Sequence, residues 1–271
     1  MFLDYSELFE RKESIKDYIS SLGRVIVAFS GGVDSTVVAA LAYEAIDDSA
    51  LAVIIDSPFF PRSELEEAKK VAEEIGIKYE VLQFNELTTE NIRKNPRDRC
   101  YTCKKARYKA LKKFAEKKGF DYLLEGTNAS DLSEYRPGLA ASDELDVKKP
   151  LLMFEFSKQD TRNMAELLGL SNALKPSNSC LAARVPYDEE LTLERLRRIE
   201  NCEEIIREET GAKVIRARDH GDLLRIELGS NERKQACCEQ TMDNLYDRIK
   251  ALGFRFVVLD LKGYRFGSYD K

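Results

Sequence analysis

Two stretches of this 271-residue chain combine residue types and spacings that can do chemistry. The first is "AFSGGVDST", residues 28–36. Gly31 and Gly32 let a phosphate approach backbone N–H groups closely, Ser30, Ser35 and Thr36 add hydroxyl donors, and Asp34 adds a carboxylate. The loop has neither the lysine of a GK[ST] phosphate loop nor the spacing of G-x-G-x-x-G, so a plain strand-to-helix turn with a capping serine is the alternative. The second stretch is "RCYTCKK", residues 99–105, in which Cys100 and Cys103 open a helical pattern beside Arg99, Lys104 and Lys105. The positive end of a helix and neighbouring cations favour the thiolate, the form that metals and electrophiles require.

A third cysteine, Cys180, follows in "PSNSCLAARVPY". In a doubly wound sheet such a segment returns to the C-terminal strand edge, where ligands bind. Three thiolates meeting beside the loop can hold a 4Fe-4S cluster through three irons and leave the fourth open to sulfide. A structural zinc site with one further ligand is the competing assignment. Cys202 and Cys238 fall at helical spacing in apolar stripes (Leu196, Ile199, Cys202, Ile206 and Cys238, Met242, Leu245, Ile249), as buried core thiols do, and Cys237 has no evident role.

The elements that must position these groups are legible as alternating patterns. "RVIVAF", "ALAVIID", "KYEVLQF" and "DYLLEG" read as buried strands. Between them lie amphipathic helices in "STVVAALAYEA", "RSELEEAKKVAEEIG" and from about Tyr101 to Lys118. This alternation predicts an α/β fold with a doubly wound parallel sheet covered on both faces. Residues 127–149 show little periodicity, and "SKQDTRNMAELLGL" returns to a helix ending near Gly169. From Asp188 onward the order changes to helix, two strands around "HGD", helix and strand. That order predicts a smaller α+β domain at 188–271 after a nucleotide domain at 1–187 that carries the three cysteines.

Composition narrows the classes further. The net charge is −5, six cysteines accompany a single histidine, His220, and no long apolar run suggests a membrane span. The opening "MFLDYSELFERKESIKDYISSLG" reads as an amphipathic helix rather than a signal peptide, so the expected compartment is the cytoplasm, with its cysteines reduced.

The loop "SGGVDS" after a buried strand closely resembles the PP-loop of the ATP pyrophosphatase (adenine nucleotide alpha hydrolase-like) superfamily. That resemblance implies ATP and Mg²⁺ at Ser30, Gly31, Gly32, Asp34, Ser35 and Thr36, adenine near "VIID", and Gly126 near the ribose and α-phosphate. With "EYRPGL", "SCLAARVPY" and "LDLKGYRFG" added, nearly the whole chain resembles the LarE family. Its members act in nickel-pincer nucleotide biosynthesis, adenylating a carboxylate of a pyridinium dicarboxylate mononucleotide and converting it to a thiocarboxylate. The family has a form that sacrifices one cysteine, matching Cys180, and a form with three, matching Cys100, Cys103 and Cys180, that resembles cluster-dependent thiolases. The present sequence has the three-cysteine pattern, which implies a 4Fe-4S cluster and repeated turnover. The resemblance also implies homo-oligomers, a small-molecule substrate with a sulfide or sulfur donor, and no nucleic-acid or membrane partner.

In "KVIRARDHGDLLRIEL" the residues Arg216 and Arg218 alternate with Ile215 and Ala217. The pattern alone suggests a solvated arginine face. In LarE proteins the pair matching Arg216 and Arg218 binds phosphate, and Arg184 is a further candidate to meet the substrate carboxylate. A tRNA thiolase-like enzyme, an ammonia-using synthetase and a non-catalytic nucleotide sensor with structural zinc are the rival readings.

Overall fold

The computed structural model describes residues 5–133 and 138–265. The chain divides into one unit formed by Met1–Glu86 and Asp98–Ser177 and a second formed by Leu87–Arg97 and Asn178–Lys271.

Unit 1 is built on a parallel four-stranded sheet of β1 (Val25–Phe29), β2 (Ala50–Asp56), β3 (Tyr79–Gln83) and β4 (Tyr122–Leu124), in the order β3-β2-β1-β4. Around it lie α1 (Tyr5–Leu22), α2 (Val33–Ile46) and α3 (Arg62–Ile75). The helices α5 (Arg99–Lys118), α6 (Gly138–Glu144), α7 (Pro150–Met153) and α8 (Lys158–Leu167) complete the unit, while the short α4 (Glu90–Arg93) belongs to unit 2. Alternate residues of β1 point to opposite faces, and both faces are dry. Val25, Val27 and Phe29 join a core with α1, α2, α3 and α8, whereas Ile26 joins Tyr108, Leu111 and Ala115 of α5. Burial on both faces is why these strands read as continuous apolar runs rather than alternating ones. The chain runs from β1 outward to β3 and then crosses to β4 on the other side of β1. The C-terminal ends of β1 and β4 therefore flank the point where strand order reverses, the place where open α/β sheets bind ligands.

In unit 2, α9 (Leu193–Thr210) packs on the hairpin β5 (Ile215–His220) and β6 (Leu223–Leu228), followed by α10 (Glu239–Lys250) and β7 (Phe256–Leu259), which pairs in parallel with β6. Leu196, Ile199, Cys202 and Ile206 of α9 and Leu224, Ile226 and Leu228 of β6 are buried.

Two features depart from the sequence pattern. Residues 127–149 contain a 3₁₀ turn at Ala129–Ser133 and α6, each too short to show a helical period. The unit boundary lies at residue 177 rather than 187, and the excursion Leu87–Arg97 also belongs to unit 2. Its anchors are backbone and amide contacts: Asn95 Nδ2 donates to the Pro186 carbonyl at 2.7 Å, and Leu191 N donates to the Arg93 carbonyl at 2.8 Å. Such contacts carry no apolar signature. Of the motif "EYRPGL", Glu134 to Pro137 lie outside the described residues, as does "LDLKGYRFG" from Phe266 on.

Candidate functional site

The loop after β1 is fixed from several directions. The Ser30 N–H donates to Ser35 Oγ at 3.2 Å, Gly32 N donates to Ser30 Oγ at 3.3 Å, and the Ser35 and Thr36 hydroxyls donate back to the Gly32 carbonyl at 3.0 and 2.9 Å. Asn172 pins the loop from behind, its Nδ2 reaching the Gly31 carbonyl at 3.0 Å and Thr36 Oγ1 at 2.9 Å. Gly32 is the N-cap of α2 and makes no side-chain cap hydrogen bond. Gly31 has φ +70°, and a Cβ there would stand 2.8 Å from the Cα of Ala68. Gly126 follows β4, and a Cβ on it would stand 2.6 Å from the Asp34 carbonyl carbon and the Ser35 nitrogen. The end of β4 thus lies directly on the first turn of α2.

Asp34, on that first turn, is held by two residues the sequence reading missed. Its carboxylate accepts a hydrogen bond from Asn128 Nδ2 at 3.2 Å and forms an ion pair with Lys158. Asn128 is fully buried and its segment is tied to the start of α8: Ala129 N donates to the Phe156 carbonyl at 2.7 Å and Lys158 N to Ser130 Oγ at 3.0 Å. Ser157 caps α8 in a reciprocal capping box with Asp160. A lysine at the first position of a helix opposes the helix dipole, and that mismatch was the one sequence signal for Lys158.

On the other side of Gly126, Glu125 is buried with Lys104 Nζ at 2.8 Å and the Tyr108 hydroxyl donating to the same oxygen, Oε2. Burial opposes ionisation of Glu125, but the Lys104 ammonium with the Lys104, Tyr108 and Ser142 hydrogen bonds outweighs it and holds the carboxyl below its ordinary value. Burial first, and then the Glu125 charge, push the Tyr108 phenol well above its usual range. Lys104 directly follows Cys103, so this buried network ties the first turns of α5 to the end of β4. Cys100 is exposed and accepts a hydrogen bond from Arg99 Nη2 at 3.5 Å, whereas Cys103 is buried. Asp56, at the end of β2, is held below its ordinary value by the hydrogen bond from Arg62, and Gln83 Nε2 donates to it at 2.7 Å.

Cys180 sits in unit 2, half-buried, as the N-cap of a 3₁₀ turn at Leu181–Arg184. Arg184 was expected to meet a substrate carboxylate. It is fully buried and engaged with Glu203 and with the backbone of residues 179 and 180, because a guanidinium this deep needs a carboxylate and carbonyl oxygens to offset its lost hydration. Arg216 and Arg218 are also buried, not solvated. Arg218 pairs with Glu227 through Nε at 3.0 Å and Nη2 at 2.9 Å and donates through Nη1 to the Ala183 carbonyl at 2.6 Å. Arg216 lies over the Tyr264 ring at 4.6 Å, and burial, followed by the charge of Arg184, pushes its guanidinium below the usual arginine range. Carboxylates supplied by α9 and β6 are what allow both faces of β5 to close.

Burial pushes the Cys202 thiol up to about 12, as a core position demands. Cys238 is exposed and caps α10, so the stripe that suggested a core thiol begins about two turns later, at Leu245 and Ile249. Among the described residues no group of three or more His, Cys, Asp or Glu side chains is gathered closely enough to hold a metal ion. No described helix is long and apolar enough to cross a membrane.

A family model described as NAD synthase matches residues 7–140. An uncharacterized protein of Synechocystis is 37% identical over 259 residues, 96% of each chain. The pyridinium-3,5-bisthiocarboxylic acid mononucleotide synthase of Lactiplantibacillus plantarum is 34% identical over 261 residues, 96% of this chain and 94% of that one. A glutamine-hydrolyzing GMP synthase chain of Methanococcus maripaludis is 31% identical over 176 residues, 61% of this chain and 56% of its own. The parallel sheet, the loop at its switch point and the family match define an enzyme of the PP-loop class. Within that class the chain belongs to the LarE family, that of the Lactiplantibacillus synthase.

Proposed function

We propose that this protein is an ATP-dependent, AMP-forming sulfurtransferase that converts a carboxylate of pyridinium-3,5-biscarboxylic acid mononucleotide to a thiocarboxylate. The observation that carries this reading is the extent of the relationship. Similarity to the bisthiocarboxylic acid synthase runs through 96% of the chain, whereas the match to the GMP synthase covers 61%.

In this reading unit 1 binds ATP with Mg²⁺ at Ser30, Gly31, Gly32, Ser35 and Thr36, with Gly126 beside the α-phosphate. Asp34 would hold the Mg²⁺ that accompanies the triphosphate and neutralises its charge. Lys158, already beside Asp34, would pair with the phosphates of the bound triphosphate. The substrate carboxylate attacks the α-phosphorus, its oxygen–phosphorus bond forms as the bond to pyrophosphate breaks, and an acyl-adenylate results. Fixed donors and charges are what such a step needs from a protein. Hydrosulfide then attacks the acyl carbon, AMP departs with the electron pair, and a proton is released.

Unit 2 carries the substrate phosphate and oligomer contacts. Arg216 and Arg218, side by side on β5, are the residues that would hold the substrate phosphate. An anion at Arg216 would offset the cost of burying Arg184, Arg216 and Arg218 against Glu203 and Glu227. Cys100, Cys103 and Cys180 handle the sulfur. Three thiols, two of them one helical turn apart and one hydrogen-bonded by a guanidinium, suit iron by donor chemistry. A 4Fe-4S cluster on these residues would supply an open iron for sulfide. The reaction is placed in the cytoplasm.

The test is anaerobic incubation of the iron-reconstituted protein with ATP, Mg²⁺, sulfide and the mononucleotide. AMP, pyrophosphate and thiocarboxylate are quantified beside an iron and acid-labile sulfide assay on wild type and the three cysteine-to-alanine variants. Thiocarboxylate formation over many turnovers, with about four irons per chain lost in each variant, is the expected result. Product limited to one equivalent, with Cys180 lighter by one H₂S, would replace the cluster with a sacrificial cysteine. No release of AMP or pyrophosphate would reject the enzyme reading.

A further inference from the structure

Arg184 has no solvent exposure, and its guanidinium donors are distributed over one short segment and one carboxylate. Nε donates to Glu203 Oε1 at 2.7 Å. Nη2 donates to Glu203 Oε2 and to Asn178 Oδ1, both at 3.2 Å. Nη1 donates to the Ser179 carbonyl at 2.9 Å, to Ser179 Oγ at 2.6 Å and to the Cys180 carbonyl at 3.1 Å. A guanidinium carries five N–H donors in a rigid fork, so this arrangement fully occupies the side chain. It grips three consecutive residues that end at the cysteine.

The grip is itself anchored. Glu203, on α9, also accepts a hydrogen bond from the Ala217 N–H of β5 at 3.1 Å. Downstream of the cysteine, Ala183 N donates to the Cys180 carbonyl at 2.9 Å, and the Ala183 carbonyl accepts from Arg218 at 2.6 Å. The backbone is therefore fixed on both sides of Cys180, while the thiol itself is half-buried. A buried ion pair is a costly way to stabilise a fold, because apolar residues of similar volume often do as well or better. Its retention makes sense where a particular geometry is required.

We propose that Arg184, braced by Glu203, is a positioning residue that sets the orientation of Cys180 for sulfur transfer and makes no contact with substrate. The proposal rests on the assignment of Cys180 to sulfur handling, and it assigns Asn178 and Ser179 as acceptors in the same clamp. A lysine at 184 keeps the charge but cannot span the carboxylate and both carbonyls at once.

The experiment compares wild type with Arg184→Lys and with the milder Ser179→Ala, which deletes one acceptor. Two readouts are taken. One is the ratio of thiocarboxylate formed to pyrophosphate released. The other is the rate of iodoacetamide alkylation at Cys180 as a function of pH, followed by peptide mass spectrometry, with Cys238 in the same molecule as internal reference. Expected for Arg184→Lys is a fall of about 10-fold or more in the product ratio, since small misplacement of a reacting group costs up to about 10²-fold. A changed Cys180 alkylation profile beside an unchanged one at Cys238 should accompany it, with a smaller change of the same kind in Ser179→Ala. An unchanged product ratio, or an unchanged Cys180 profile, in the folded variant overturns the proposal. Should Arg184→Lys fail to fold, Ser179→Ala decides by the same criteria. If the wild type releases no pyrophosphate, the functional reading fails by that result alone, and the alkylation profiles still decide whether Arg184 positions Cys180.

Discussion

Asp34 on the first turn of α2 and Lys158 on the first turn of α8 form an ion pair at the sheet's switch point, although 124 residues separate them in sequence. Each sits at the positive end of a helix, where the anion is favoured and the cation is not. The lysine is held there by Asp34 and by the buried Asn128 segment, so it is placed to change partners when a polyanion arrives. Lys158→Ala is expected to lower pyrophosphate release by roughly 10²-fold, the scale for removing one preorganised charge stabiliser. Because Asp34 and Lys158 act as a unit, adding Asp34→Asn should cost far less than the product of the two single effects. Steady-state pyrophosphate assays on the two single variants and the double variant would show this, and multiplicative effects would contradict it.

Gly126 ties the same turn to β4. An added Cβ would overlap the Asp34 and Ser35 backbone at 2.6 Å, and backbone cannot swing aside as a flexible side chain can. Gly126→Ala should destabilise unit 1 by about 1–3 kcal/mol, as overpacking generally does, and weaken ATP binding further by displacing the loop. Urea unfolding and nucleotide titration measure the two effects separately. A variant with wild-type stability would mean that β4 can retreat from α2.

Much of this arrangement was legible from local pattern. The strands of unit 1, the loop at residues 30–36 and the helix–strand–strand–helix–strand order of unit 2 all show as periodicity or glycine placement, which neighbouring residues decide among themselves. What escaped depends on partners remote in sequence. Lys158 and Asn128 matter only because the chain folds them onto Asp34. The burial of Arg184 depends on Glu203, 19 residues further along the chain. The alternation at Arg216 and Arg218 suggested a wet face, but Glu203 and Glu227 supply the charge that lets it close. Cys180 belongs with unit 2 because its neighbours Arg184 and Ala183 are hydrogen-bonded to Glu203 of α9 and Arg218 of β5, which no hydropathy pattern records.

Glu125 gives stability a defined acid dependence. Its folded pKa lies below the ordinary carboxyl value, so below neutrality the unfolded chain takes up its proton first. The contribution is complete above the unfolded pKa, near about 4.3, and disappears as pH falls through the lower folded value. Glu125→Gln leaves Lys104 without its buried partner and should cost about 3–5 kcal/mol at neutral pH. The gap between wild type and variant in urea midpoints should narrow as pH falls below about 4.3, and a gap independent of pH would show that folding does not lower the Glu125 pKa.

The cysteines outside the proposed sulfur site provide a further check on the fold, with opposite expectations at two positions. Backbone N–H groups of Thr241 and Gln240 at the start of α10 lower the pKa of the exposed Cys238, so it should alkylate faster than an ordinary thiol near neutral pH. Cys202, buried against the α9–β5 core and pushed up to about 12, should stay unmodified until the protein unfolds. The sign of its pH dependence is the reverse of that for Glu125. The unfolded thiol ionises first as pH rises past about 8.5, so the stability Cys202 confers is complete below that value and is lost as pH climbs toward the folded pKa. Cys202→Ser lacks that titration, and its stability deficit relative to wild type should shrink between about pH 8.5 and 10.5. Rapid labelling of Cys202 in the native protein would contradict the packing of α9 on β5 that also holds Glu203, and through it Arg184, in place.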